Sequence, residues 1–150
     1  MPRGEDMEVK ELIRAAVEAR KKSYAPYSGY KVGAAVLSDD GSIIKGCNVE
    51  NASYPAGICA ERNAIFSAVA MGYKGFKAIA VVGGRESEED TFSDYACPCG
   101  ICRQVMREFT EPSDLSVYIA RSEDDYMEYT LEDLLPESFG PGKLKDPRFT

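Results

Sequence analysis

Three of the chain's five cysteines, Cys97, Cys99 and Cys102, fall within six positions, and no histidine occurs among its 150 residues. An odd number of thiols crowded in this way makes a poor disulfide framework and a good metal-ligand pattern, because thiols that stay reduced serve as ligands. The missing imidazole removes the Ser/His/Asp and Cys/His nucleophile arrangements and every zinc site that uses histidine. Acid–base chemistry is left to carboxylate, thiol, lysine or tyrosine. The stretch from Met1 to Leu12 has no apolar run followed by a small-residue cleavage site, and no segment approaches the ~18 apolar residues of a membrane span. The chain is expected to be cytoplasmic, with no membrane partner.

Hydrophobic periodicity sets the order of elements. Val9, Leu12, Ile13, Ala16 and Val17 recur at helical spacing between Met7 and Lys22, with charges on the other face. Two β runs, Tyr30 to Leu37 and Ser42 to Cys47, flank a hairpin turn at Asp39, Asp40 and Gly41. Cys59 to Met71 is Ala-rich and reads as a largely buried helix carrying Ala60, Ala64, Ile65, Ala68 and Val69 and ending at Gly72. The continuous apolar run Ala78 to Val82 suits the middle of a covered sheet. Arg85 to Tyr95 is acidic and reads as an exposed loop, and a helix with Val105, Met106 and Phe109 inward runs from about Pro98 to Phe109. Ser116 to Ala120 and Tyr126 to Thr130 complete the strands, and Leu131 to Leu135 forms a helical turn. Helices alternating with strands in this order predict an α/β fold, a three-layer α/β/α sandwich with a mixed five-stranded sheet. With 44% hydrophobic residues, 1–150 is expected to form one domain, with 1–7 and 142–150 as flexible ends.

The chemistry concentrates at two predicted helix starts, Cys59-Ala60-Glu61 and Pro98-Cys99-Gly100-Ile101-Cys102. Helix N-termini favour deprotonated sulfur through the helix dipole and free backbone N–H groups. A structural zinc site fills all four tetrahedral positions with protein ligands, whereas a catalytic one keeps a position for water. Three thiolates with a nearby carboxylate favour catalysis, and Glu61 lies two residues from Cys59. This is the layout of the zinc deaminases, in which a glutamate that is not a ligand shuttles protons. The alternative is a structural four-cysteine site with Cys47 or Cys97 as the fourth ligand. A balance of 25 acidic against 18 basic residues, net charge −7, argues against a nucleic-acid partner.

Six motifs in order resemble cytidine deaminases of the small, homotetrameric, three-cysteine type. They are Tyr24-Ala-Pro-Tyr-Ser28, Val32-Gly-Ala-Ala35, Gly46-Cys-Asn-Val-Glu-Asn-Ala52, Gly57-Ile-Cys-Ala-Glu-Arg-Asn-Ala64, Pro98-Cys-Gly-Ile-Cys-Arg-Gln-Val105 and Leu134-Leu-Pro-Glu-Ser-Phe-Gly-Pro141. The resemblance implies hydrolytic deamination of cytidine and 2′-deoxycytidine, with one zinc per chain held by Cys59, Cys99 and Cys102. It implies Glu61 as proton shuttle, Asn48 and Glu50 at the sugar hydroxyls, Tyr30 against the pyrimidine, and Ala60 as a further substrate contact. Arg62 would bond a ligand sulfur and offset the formal charge of −1 that three thiolates leave on a zinc site. Phe139 would cover the site of a neighbouring subunit, so a homotetramer with shared active sites is expected. Two departures stand out: Lys31 where the family commonly has proline, and Cys97, read as a buried free thiol, where it has a small polar residue. Other aminopyrimidine deaminases would alter the Asn48-Val-Glu-Asn51 loop, and nucleotide and nucleic-acid deaminases of this fold generally use histidine. A zinc-stabilised interaction module is the non-enzymatic reading.

Overall fold

Ala78 to Val82 has no polar side chain to offer water on either side, so it needs cover on both faces, and the structure supplies it. The computed structural model describes residues 4–145. Its order is α1 (Gly4–Arg20), β1 (Tyr30–Ser38), β2 (Ile43–Cys47), α2 (Ala60–Ala70), β3 (Phe76–Arg85), α3 (Gly100–Phe109), β4 (Ser116–Ser122), β5 (Asp125–Thr130), α4 (Leu131–Leu134) and α5 (Pro141–Leu144). The strands form one mixed sheet in the order β2-β1-β3-β4-β5. The central strand β3 runs antiparallel to β1, with Ala34 opposite Val81, and parallel to β4, with Ala80 opposite Tyr118.

Alternation along the strands sends successive side chains to opposite faces. Ala35, Leu37, Ala78, Ala80 and Val82 meet Leu12, Ile13 and Ala16 of α1. Ala34, Val36, Ile79, Val81, Val117 and Ile119 meet α2 and α3 through Ala60, Ala64, Ile65, Ala68, Cys102 and Met106. The fold is thus the α/β/α sandwich that the sequence predicts. None of the described helices is long and apolar enough to cross a membrane.

Two glycines let the helices approach the sheet closely. A Cβ on Gly33 would lie 2.0 Å from the Ala16 carbonyl oxygen, and one on Gly46 would lie 2.3 Å from the Ala64 nitrogen and 2.7 Å from the Ala60 carbonyl oxygen. The second contact seats the first turns of α2 against β2, the part of that helix next to Cys59.

Several expectations are corrected. Helix α1 starts at Gly4, before Met7, and a short helix spans Pro141–Leu144; residues 1–3 and 146–150 of the expected flexible ends lie outside the described residues. Val69 is on the outer side of α2 and exposed together with Phe66, because a stripe of small residues, not Val69, faces the sheet. The acidic stretch after β3 is not simply exposed: Phe92 is among the most buried side chains, packed on the α1 face. Arg20, at the end of a helix face read as charged and solvated, is only 3% exposed.

Gly46→Ala is expected to destabilise the chain by about 1–3 kcal/mol, the usual cost of overpacking, because the atoms it meets are backbone. The urea midpoint should fall accordingly, and an unchanged midpoint would mean that α2 can move away at no cost.

Candidate active site

Helices α2 and α3 begin at adjacent places on one face of the sheet. Cys59 is the N-cap of α2 and Cys99 the N-cap of α3, and neither side chain caps its own helix. The first-turn N–H groups are therefore directed at the space the sulfurs occupy. Cys102 follows one turn into α3 and is fully buried. The Cys59 and Cys99 sulfurs are 3.9 Å apart, those of Cys99 and Cys102 are 3.3 Å apart, and all three lie within 4.8 Å of one another. Tetrahedral zinc with Zn–S bonds of ~2.3 Å separates its sulfurs by about 3.8 Å, so the donor set fits that ion. Among the described residues Cys47 and Cys97 are not part of this group.

Local electrostatics suit a cluster of sulfur anions. Arg62 donates a hydrogen bond from Nη2 to the Cys59 sulfur at 3.4 Å, while its buried Nε has no partner among the described residues. The neighbouring Cys102 thiol, aided by Arg62, holds the Cys59 thiol well below its ordinary value, and that of Cys102 is pushed up in turn. Glu61, in the first turn of α2, is 4% exposed. Burial pushes its carboxyl up to about 7, and the neighbouring Cys59 charge adds to the rise. A carboxyl with that value both holds and releases a proton near neutral pH.

A cavity of about 730 Å³ opens over this group. Of the residues singled out from the sequence, Tyr30, Asn48, Glu50, Cys59, Ala60, Glu61, Arg62 and Cys99 all line it. Asn48 accepts from the Val32 N–H at 2.9 Å and donates to the Tyr30 carbonyl at 2.9 Å, which pins the start of β1. Glu50 accepts from the Tyr27 and Ser28 N–H groups at 3.0 and 3.1 Å and from the Ser28 hydroxyl. Strand β1 runs on through Lys31, which pairs with Gly84 and lies 3.4 Å from Glu86. Phe139 is apart from this cavity. It is 56% exposed on a tail held to α3 by hydrogen bonds from Arg103 to the Leu134 carbonyl, Gln104 to the Phe139 carbonyl and Arg107 to the Ser138 hydroxyl.

Cys97 is exposed, not buried, and lines the cavity. The segment before α3 turns Ala96 and Pro98 inward and leaves the residue between them outward. Tyr27, Tyr54 and Tyr95 also line the cavity and were not singled out from the sequence. Only the motif Tyr24 to Ser28 hinted at the first, and nothing local marked the third.

The family described as "Cytidine and deoxycytidylate deaminase zinc-binding region" matches residues 7–118. The chain belongs to this family. Cytidine deaminase of Sporosarcina psychrophila is 44% identical over 138 residues, covering 92% of this chain and 96% of that protein. The crystal structure of cytidine deaminase from Burkholderia pseudomallei has a TM-score of 0.76 at 49% identity, covering 86% of this chain and 97% of that one. That from Mycobacterium tuberculosis has a TM-score of 0.72 at 38% identity, covering 87% and 95%. As a member of the cytidine and deoxycytidylate deaminase family, the chain is a zinc hydrolase whose three-cysteine cluster fits one zinc per chain.

Zinc content should distinguish the cysteines. Cys59→Ala is expected to lose most of its metal by elemental analysis, whereas Cys97→Ala should keep one zinc per chain. Full retention by Cys59→Ala would remove that residue from the ligand set.

Proposed function

We propose that the enzyme hydrolyses cytidine and 2′-deoxycytidine to the corresponding uridines and ammonia, as a cytoplasmic enzyme of pyrimidine salvage. The observation that carries this reading is the buried Glu61 beside three convergent sulfurs, with Cys59, Cys99 and Glu61 lining a cavity that Asn48 and Glu50 also line. Cys59, Cys99 and Cys102 are assigned as the zinc ligands. Zinc, when bound, supplies Lewis acidity that brings the pKa of a water towards neutrality.

The remaining work falls to the chain's own groups. Glu61 accepts a proton from the water that is consumed and delivers it to N3 of the pyrimidine, and later carries that water's second proton to the leaving amine, a task matched to a carboxyl near 7. Arg62 neutralises part of the sulfur charge at Cys59, and the two helix N-termini add to this. Tyr30 presents its ring to the base, with Ala60 beneath. Asn48 spends one of two amide protons and one carbonyl lone pair on β1, and Glu50, which already accepts three hydrogen bonds, retains about one unused lone pair, so both can also bond sugar hydroxyls. Arg62 is the one cation among the described lining residues and is engaged with Cys59. A nucleotide phosphate would meet Glu50 with no free cation to balance it.

Residues 1–150 are read as one domain. Assembly into a homotetramer with shared sites is supported by Phe139, held outward on its tail, and by the exposed Phe66, Val69 and Met71 of α2 and its C-cap. Phe139 then covers the cavity of a neighbouring subunit.

Glu61→Gln is expected to keep zinc and fold but lose about 10²–10⁴ in turnover, the usual worth of general acid–base catalysis. Activity within about tenfold of the parent, on the same scale, would refute the shuttle role. An ultraviolet assay with cytidine, 2′-deoxycytidine, cytosine and CMP should show turnover of the two nucleosides, and comparable kcat/KM for CMP would contradict the reading. Phe139→Ala should raise KM for cytidine with zinc unchanged, and a fully active monomer in sedimentation would sink the shared site.

A further inference from the structure

Arg20 is a buried cation that the chemistry described above does not use. Its guanidinium donates to the Lys31 carbonyl at 3.0 Å, the Glu88 carbonyl at 2.6 Å, the Gly84 carbonyl at 3.0 Å and the Arg85 carbonyl, and lies 4.6 Å from the centre of the Phe92 ring. Burying a charge is costly unless its donors are satisfied. Here four carbonyls and an aromatic face satisfy it, and they come from three separate places: the start of β1, the end of β3 and the segment that follows β3.

Those places lead directly to the cavity wall. Consecutive strand residues face opposite sides of a sheet, and Gly84 and Gly83 show what each side carries. On the α1 side, a Cβ on Gly84 would lie 2.2 Å from Glu88 Oε2 and 2.8 Å from the Phe92 ring. On the cavity side, a Cβ on Gly83 would lie 2.7 Å from Ala96 Cβ and 3.1 Å from Tyr30 Cε1. The chain after β3 therefore wraps around the strand end: Glu88 and Phe92 are clamped beside Arg20, and Ala96 emerges against Tyr30 in the wall. Tyr30 is the residue before Lys31, whose carbonyl Arg20 holds. The Glu88 carboxylate closes the same segment by accepting from the Arg85 and Ser93 N–H groups, each at 3.0 Å, and from the Ser93 hydroxyl.

We propose that Arg20 is a positioning residue for substrate binding: from the face of the sheet opposite the cavity it clasps the segments that carry Tyr30 and Ala96, and so sets the width of the slot for the base. The inference rests on the reading of Tyr30 as the wall against the pyrimidine. Lysine cannot replace Arg20, because three donors on one nitrogen do not span four carbonyls as a planar fork does.

The test uses the zinc-loaded full chain with Arg20→Lys, Glu88→Gln and Tyr30→Ala, assayed with cytidine well below each melting temperature and followed by amide hydrogen exchange. For Arg20→Lys we expect one zinc per chain, KM raised about fivefold or more with kcat within about twofold, the signature of lost binding, and faster exchange over residues 94–97. Glu88→Gln, at a partly exposed position, should shift KM and exchange in the same direction by less. A lower melting temperature with KM and exchange at 94–97 both unchanged would overturn the proposal and leave Arg20 a stabilising residue only. If Arg20→Lys does not fold, Glu88→Gln decides by the same two readouts. Should Tyr30→Ala leave KM unchanged, the substrate role of Tyr30 fails, while the exchange result still decides the clasp.

Discussion

Everything at the site depends on two helices starting at one place. Strands β2, β3 and β4 run parallel to one another, since β1 is antiparallel to both β2 and β3 and β4 is parallel to β3. Helix α2 follows β2 and α3 follows β3, so both helix N-termini lie at the carboxyl ends of parallel strands, the general position of ligand sites in open α/β sheets. The close approach of α2 to Gly46 fixes one terminus and the burial of Cys102 and Met106 fixes the other. Three sulfurs within 4.8 Å are the outcome. If either helix moved by the width of a methyl group, the sulfurs would no longer fit a single tetrahedral ion.

Burial gives the site its second property. Glu61 shares the first turn of α2 with the Cys59 cap, so the packing that places the sulfur also removes the carboxyl from water. Desolvation disfavours the charged form and brings the group into the range where proton transfer in both directions is possible. Position and acidity therefore have one cause. Without histidine, the chain obtains a group that titrates near neutrality by burying a carboxyl.

The sequence carried the fold in its strongest local signals. The run Ala78 to Val82 marked the central strand, and the Ala spacing after Cys59 marked a helix packed against the sheet. The cysteine and glutamate positions were legible because their chemistry depends on spacing within single turns. What was not legible came from tertiary contacts. A charged residue such as Arg20 reads as solvated because its carbonyl partners are 11 to 68 positions away. Phe92 sits among acidic and polar neighbours that are themselves exposed, so composition alone suggested a loop in water. A thiol is usually buried, so burial is the expectation for Cys97, whereas here the inward positions are taken by Ala96 and Pro98 on either side.

The clustered cysteines straddle the central strand: Cys59 precedes β3 and Cys99 follows it. Strand β3 contacts β1, many residues earlier, and β4, many residues later, and such pairings close slowly because the chain must give up loop entropy before they form. The β1–β2 hairpin forms locally, yet it contributes no sulfur. A chain that has collapsed without inserting β3 between its neighbours holds Cys59 on one segment and Cys99 with Cys102 on another. Such a chain cannot present the three sulfurs within 4.8 Å of one another, so the donor set is complete only where β3 is in place.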